Sequence, residues 1–242
     1  TNTFFWTVAN TPELISIAPR ESGAVSLRVK LLKNFPIRRL SDKNYTLKLQ
    51  AAIESPTVPA GTEAEKTMAV AELQTKMAGI LDVEARAFFR DAESGILNSG
   101  PYPPRVNQPT EYTVHWIASG YAADISNLEI MSFVQSGGRW TGKVISNIDT
   151  VPLYDSRTGK ITWSIPHLPA NSGVVSPAAE AVFQIEITPA VNQINQDVVI
   201  LGNTTASGQD IFTGLALADS DVPLATNLPD DPTVGRDTRV QP

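Results

Sequence analysis

The sequence predicts an all-β protein of antiparallel sandwich type. Period-two alternation of apolar and polar side chains recurs along most of its length, which is the pattern of strands with one buried face. Clusters of Gly, Pro, Asn and Ser punctuate these runs at the short intervals that sandwiches need. At 242 residues, 42% hydrophobic and 18% charged, the chain is long enough for one large or two modest domains with real cores.

Phe4, Trp6 and Val8 share one face of a first strand, and Leu27, Val29 and Leu31 alternate with Arg28 and Lys30 in a second, Ser26 to Leu32. Tyr45 to Ile53 sets Tyr45, Leu47, Leu49, Ala51 and Ile53 against Thr46, Lys48 and Gln50. The next stretch is contested. Thr62-Glu-Ala-Glu65 has the form of a capping box, and Ala64, Met68 and Ala71 fit a helical stripe. The internal repeat described below favours a strand over Ala69 to Lys76. Val83 to Phe89, Tyr112 to Trp116, Leu128 to Ser132, Arg139 to Ser146, Ile161 to Ile165 and Phe183 to Ile187 continue the alternation. Trp116, Trp163, Phe183 and Ile185 fall on the apolar faces and are expected in one core, between sheets about 10 Å apart. Trp140 follows Gly137-Gly138 in a turn-like setting and is the better candidate for surface recognition, together with Tyr102, Tyr121 and Tyr154.

The composition excludes several kinds of chemistry. A net charge of −6, from 19 basic and 25 acidic side chains, offers no basic stripe for nucleic acid. With no cysteine there is no disulfide framework, thiolate metal site or cysteine nucleophile. No apolar run is long enough for a membrane-spanning helix. The two histidines, His115 on a strand and His167 in a loop between Pro166 and Pro169, cannot supply a zinc trio, and no nucleophile elbow, phosphate loop or dinucleotide fingerprint occurs. We therefore expect no catalytic residues, no cofactor and no tightly bound transition metal. Asp82, Asp91, Asp210, Asp219, Asp221, Asp230 and Asp231 are the candidate calcium ligands, but no segment offers the Asp-rich loop that a hard cation needs. No metal site is assigned.

The chain also resembles itself. Phe4 to Val8 aligns with Lys160 to Ile165 with the tryptophans in register, and the spacing from Trp6 to Leu27 nearly equals that from Trp163 to Phe183. Tyr45 to Ile53 corresponds to Val198 to Ala206, and Leu73 to Met77 to Leu224 to Leu228. The later copy has a front half, Leu81 to Ser146, that the earlier one lacks. This organisation predicts the back half of a sandwich repeat over 1–80, a complete repeat over 81–231 and a polar tail or linker over 232–242, so that Thr1 opens partway through a repeat.

Ala85 to Asp91, Asn98-Ser-Gly-Pro-Tyr-Pro-Pro104, Tyr112-Thr-Val-His-Trp116, Arg139-Trp-Thr-Gly142, Ile161-Thr-Trp-Ser-Ile165, Phe183-Gln-Ile185, Asp210-Ile-Phe-Thr-Gly214 and Leu228-Pro-Asp-Asp231 carry a resemblance to a family. They resemble the tandem immunoglobulin-like repeat domains of uncharacterised bacterial cell-surface proteins of candidate-phylum type. The resemblance implies immunoglobulin-like sandwiches in tandem, export to the cell exterior and no catalysis. The expected role is a structural component of a surface array, stalk or filament, with other copies of the chain as partners through strand edges or domain ends. The alternative is an adhesion or glycan-binding module. Within 1–80 the strands would expose unpaired edges and an apolar face. Upstream chain, a neighbouring copy, or closure into a small sheet docked on the second domain could cover them.

Overall fold

The computed structural model describes every residue except 1, 2, 19, 31–34, 62 and 236. The chain divides into two compact units, Thr1–Phe35 and Pro36–Pro242. In the first, the described residues form one short helical turn, Pro12–Leu14, and no strand. The strand readings of Phe4 to Val8 and Ser26 to Leu32 are thereby corrected, with Leu31 and Leu32 outside the described residues. Alternation shows which face a strand would bury, but a strand also needs a neighbour for its backbone N–H and C=O groups. Phe5, Ile15 and Val29 are exposed, and Trp6 retains 38% of its surface.

The second unit is all-β and antiparallel. Its strands are β1 (Thr46–Ser55), β2 (Thr67–Lys76), β3 (Ile80–Phe88), β4 (Thr110–Tyr121), β5 (Ile125–Phe133), β6 (Gly138–Ser146), β7 (Leu153–Asp155), β8 (Lys160–Leu168), β9 (Ala179–Ile187), β10 (Val199–Leu201), β11 (Thr204–Asp210), β12 (Ala216–Asp221) and β13 (Leu224–Ala225). One sheet has the order β3-β4-β9-β6 and the other β12-β11-β5-β8-β7, while β1-β2 and β10-β13 form separate pairs. The contested stretch before Lys76 is strand β2, held to β1 in an unbroken register from Thr46↔Lys76 to Ser55↔Thr67. Thr62, the head of the capping box, lies outside the described residues. Val198 to Ala206 is interrupted at Gly202-Asn203, and the pieces on either side join different sheets.

The two large sheets enclose one core. Tyr112, Val114, Trp116 and Phe183 from one sheet meet Leu128, Ile130, Ile161 and Trp163 from the other, all fully or almost fully buried. Trp116 meets Phe183 edge to face at 5.0 Å. Each indole N–H keeps a partner. Trp116 Nε1 donates to Thr204 Oγ1 at 3.2 Å, and Trp163 Nε1 donates to the hydroxyl and carbonyl of Thr150. Burying such rings without a partner would cost part of what the apolar area contributes.

Ile80 starts β3 at the pole where β4 ends, paired with Tyr121. The segment read as a polar tail is tied down at the other pole. Val240 is fully buried, and Gln241 accepts from Val106 N–H and donates to the Pro104 carbonyl beside the start of β4.

Candidate functional site

The first group of functional interest is the edge of β3. Residues facing away from β4 along an edge strand leave their amides unpaired. Here aspartates meet them. Asp219 Oδ2 accepts from Val83 N–H and Asp221 Oδ2 from Ala85 N–H, each at 2.8 Å. At the two ends of the strand Asp210 accepts from Gly79 N–H at 2.7 Å, and Asp231 from the amides of Phe89 and Arg90 at 2.8 and 3.0 Å. Asp219 and Asp221 can act together because β12 lies against β3 and alternate residues share a face. Burial works against ionisation of Asp210 and Asp231. Donation from Gly79, Phe212 and Thr213 to the first, and from Thr233, Arg90 and Phe89 to the second, outweighs it and holds both below the usual carboxylate range. Asp82 sits beside this row without such donors; partial burial, then the charges of Asp219, Glu84 and Asp221, push it up.

Of the calcium candidates, Asp210, Asp219, Asp221 and Asp231 serve as acceptors for β3 and its ends, Asp82 lies beside them, and Asp91 is elsewhere on His115. No group of three His, Asp or Glu suited to a metal occurs among the described residues. His115 Nε2 lies 2.7 Å from Asp91 Oδ2, and Nδ1 lies 2.7 Å from Glu180 Oε1. Both contacts are donations only when both ring nitrogens carry a proton. Burial pulls Asp91 upward, but hydrogen bonds from His115, Ser94 and Thr113 win and hold it below its ordinary value. With a carboxylate on each ring nitrogen, His115 bridges the Asp91 loop and Glu180 of β9. Its work is to pin the loop carrying Asp91 onto the outer face of the β4-β9 pair. His167 is in the other sheet, paired with Ser126 at the end of β8, and not in a loop as the flanking prolines suggested. Pro166 is tolerated there because β7 is only three residues long and leaves that edge of β8 unpaired.

The opposite side of the sandwich closes differently. Trp140 on β6 stacks on Tyr154 of β7 at 5.7 Å with ring planes 10° apart, and also meets Phe183 at 5.1 Å. Its half-buried place comes from a bulge between Trp140 and Val144, where Gly142 adopts a φ of 90°. Tyr102 stacks on Phe89 at 4.9 Å and donates to the Thr226 carbonyl; burial, with Asp231, Asp197 and Asp237 nearby, pushes its phenol up to about 12. Tyr121 is half-buried too. None of the four aromatics proposed for recognition presents a fully exposed ring.

The remaining feature is the β1-β2 ribbon. Its base is fixed where Asn44 N–H donates to the Ala122 carbonyl, and Lys43 meets Asp124 at 2.6 Å. The Lys43 contact and the Ala170 amide hold Asp124 below its ordinary range in spite of its burial. Asn171, fully buried with φ 64°, accepts from Ala122 N–H and donates to the carbonyls of Arg39 and Asp42. Beyond this base the ribbon is exposed on both faces. Leu47, Leu49, Ala51 and Ile53 lie opposite Thr75, Leu73, Ala71 and Ala69 on one face, which is apolar over most of its length. None of the side-chain-to-backbone bonds on β3, the His115 clasp or the Asn171 pin was legible in the sequence. The one local signal was the Asp219-x-Asp221 spacing, which placed two carboxylates on one face without showing what they met.

No protein-family model and no curated protein sequence matches the chain. It is similar to solved structures that include BcpA, the major pilin subunit of Bacillus cereus, with TM-score 0.38, 12% identity, and coverage of 70% of this chain and 52% of that one. The full-length major pilin SpaD from Corynebacterium diphtheriae gives TM-score 0.37, 10% identity and coverage of 60% and 35%. The C-terminal domain of the polypeptide BspA from Streptococcus agalactiae gives 0.32, 10%, 73% and 59%. The chain thus spans about half of BcpA and about a third of SpaD as solved.

Proposed function

We propose that the chain is a non-enzymatic structural module of a bacterial cell-surface array, stalk or filament, built of immunoglobulin-like repeats in tandem and joined to its neighbours through strand edges. One contrast supports this reading most. The edges of the sandwich are blunted by aspartates, a bulge or short strands, whereas the ribbon offers two ten-residue edges and an apolar face to a partner. Within 1–80, Phe4 to Val8 and Ser26 to Leu32 align with β8 and β9. The partners of those strands, β5 with β7 and β4 with β6, have no counterpart in the first copy. That the described residues of these two stretches form no strand supports reading 1–80 as the back half of a repeat. Among the described residues no helix is long and apolar enough to cross a membrane. Antibodies against residues 80–242, applied to intact cells of the source organism, should label them. Labelling that appears only after lysis overturns the surface assignment.

A further inference from the structure

We infer that β1 pairs antiparallel with β1 of a second copy of this chain about a two-fold axis through Ala51, giving a four-stranded sheet in the order β2-β1-β1-β2. The inference rests on the surface-structural reading above and names its partner and register. Its first support is the state of the edge. Ten consecutive residue pairs join β1 to β2 without a bulge, β1 contains no proline, and its other side pairs with no strand among the described residues. A two-stranded ribbon is marginal in water, and a sheet of three or more strands is not.

The sequence of β1 selects the partner. Faces are preserved only if residues of like parity meet, because a slip of one residue turns each apolar side chain to the polar side. About Ala51, Leu49 faces Ile53 and Leu47 faces Ser55 on one side of the sheet. On the other, Gln50 faces Ala52 and Lys48 faces Glu54, twice by symmetry. Centring on Gln50 instead opposes Lys48 to Ala52 and Glu54 to Thr46, and centring on Ala52 opposes Glu54 to Gln50. Parallel pairing in register would set like charges together. On β2 the equivalent match, Glu72 with Lys76, occurs only about Gln74 and leaves half of the strand overhanging. Glu54 already meets Lys66 at 2.9 Å on the exposed side, and its carboxylate has acceptor capacity for a second cation.

The test uses the full chain in sedimentation velocity over a range of concentrations. A weak, reversible dimer is expected, since an edge pairing of this size sits at the small end of specific interfaces. Lys48→Glu and Glu54→Lys should each weaken association about tenfold, because each sets two like-charged pairs opposite one another, and the double exchange should restore it. The chain has no cysteine, so Ala51→Cys gives a clean cross-linking probe. Directly opposed Cα atoms lie about 4.5–5.5 Å apart, within disulfide reach. Mild oxidation should link Ala51→Cys but not Val70→Cys, which lies on β2 away from the seam. A monomer at all concentrations with no preferential Ala51→Cys link overturns the inference and assigns the ribbon to another strand donor. A dimer unmoved by Lys48→Glu overturns it as well. Neither result bears on labelling of intact cells, which judges the surface reading separately.

Discussion

Replacing Asp219 and Asp221 together by alanine uncovers the middle of the β3 edge. The amides of Val83 and Ala85 each lose a carboxylate acceptor at 2.8 Å. A hydrogen bond to a charged group contributes about 1.5–3 kcal/mol net, and part of that is recovered where water reaches the freed amide. We therefore expect a loss of about 2–4 kcal/mol for the double variant, or about 5–15 °C in Tm for a domain of this size. Denaturation followed by fluorescence of the buried Trp116 and Trp163 reports it. Asp219→Asn with Asp221→Asn keeps an acceptor at each position and should lose less than half as much. The alanine variant should also bring Asp82 down toward its ordinary value, because two of the charges that raise it are gone. It should self-associate more than the parent, having gained an open edge. A double alanine variant within about 0.5 kcal/mol of the parent, with Asp82 unmoved, would refute the assignment of these aspartates as edge caps.

The depressed carboxylates set the response to acid. Asp91, Asp124, Asp210 and Asp231 bind protons less readily folded than unfolded, so their contribution is complete above the ordinary carboxylate range and is lost as pH falls through their folded-state values. Stability should hold from neutral pH to about 5 and fall steeply below about 4, less steeply in Asp210→Ala with Asp231→Ala. Asp82 has the opposite sign. Asp82→Asn should stabilise the protein at neutral pH and make no difference once Asp82 is protonated. Trp163→Ala should cost about 3–5 kcal/mol by denaturant titration, and Trp163→Phe less, through the lost bonds to Thr150. Asn171→Asp keeps the acceptor for Ala122 but loses the donors to Arg39 and Asp42, so exchange at the Asn44 amide should quicken while the core amides of β4 and β9 stay protected.

How much of this could be read from the sequence follows from the range of each interaction. Trp163 and Ile185 are legible as core residues from their neighbours two residues away, because side chains alternate across any half-buried strand. The contested stretch resolves to a strand through pairs such as Leu49↔Leu73, which the repeat hinted at and a helical stripe could not supply. Phe4 to Val8 has the alternation and no strand, since alternation is local and pairing is not. Val198 to Ala206 reads like one element, and the Gly202-Asn203 pair between β10 and β11 divides it, a turn signal that the match to Tyr45 to Ile53 alone overrides. The carboxylates on β3 come from residues more than a hundred positions away along the chain, and no local pattern announces such a meeting.

The path of the chain through the sandwich has a mechanical consequence. β3 starts at one pole, and the segment around Val240 and Gln241 is fastened at the other. Tension applied between Gly79 and Gln241 would run lengthwise along the strands. The hydrogen bonds of β3 with β4 would then be loaded in shear, many at once, instead of being peeled one after another. Single-molecule pulling through those two points should show a higher rupture force than pulling through two loops at the same pole. The row of aspartates on the outer side of β3 would share that load as a second line of bonds.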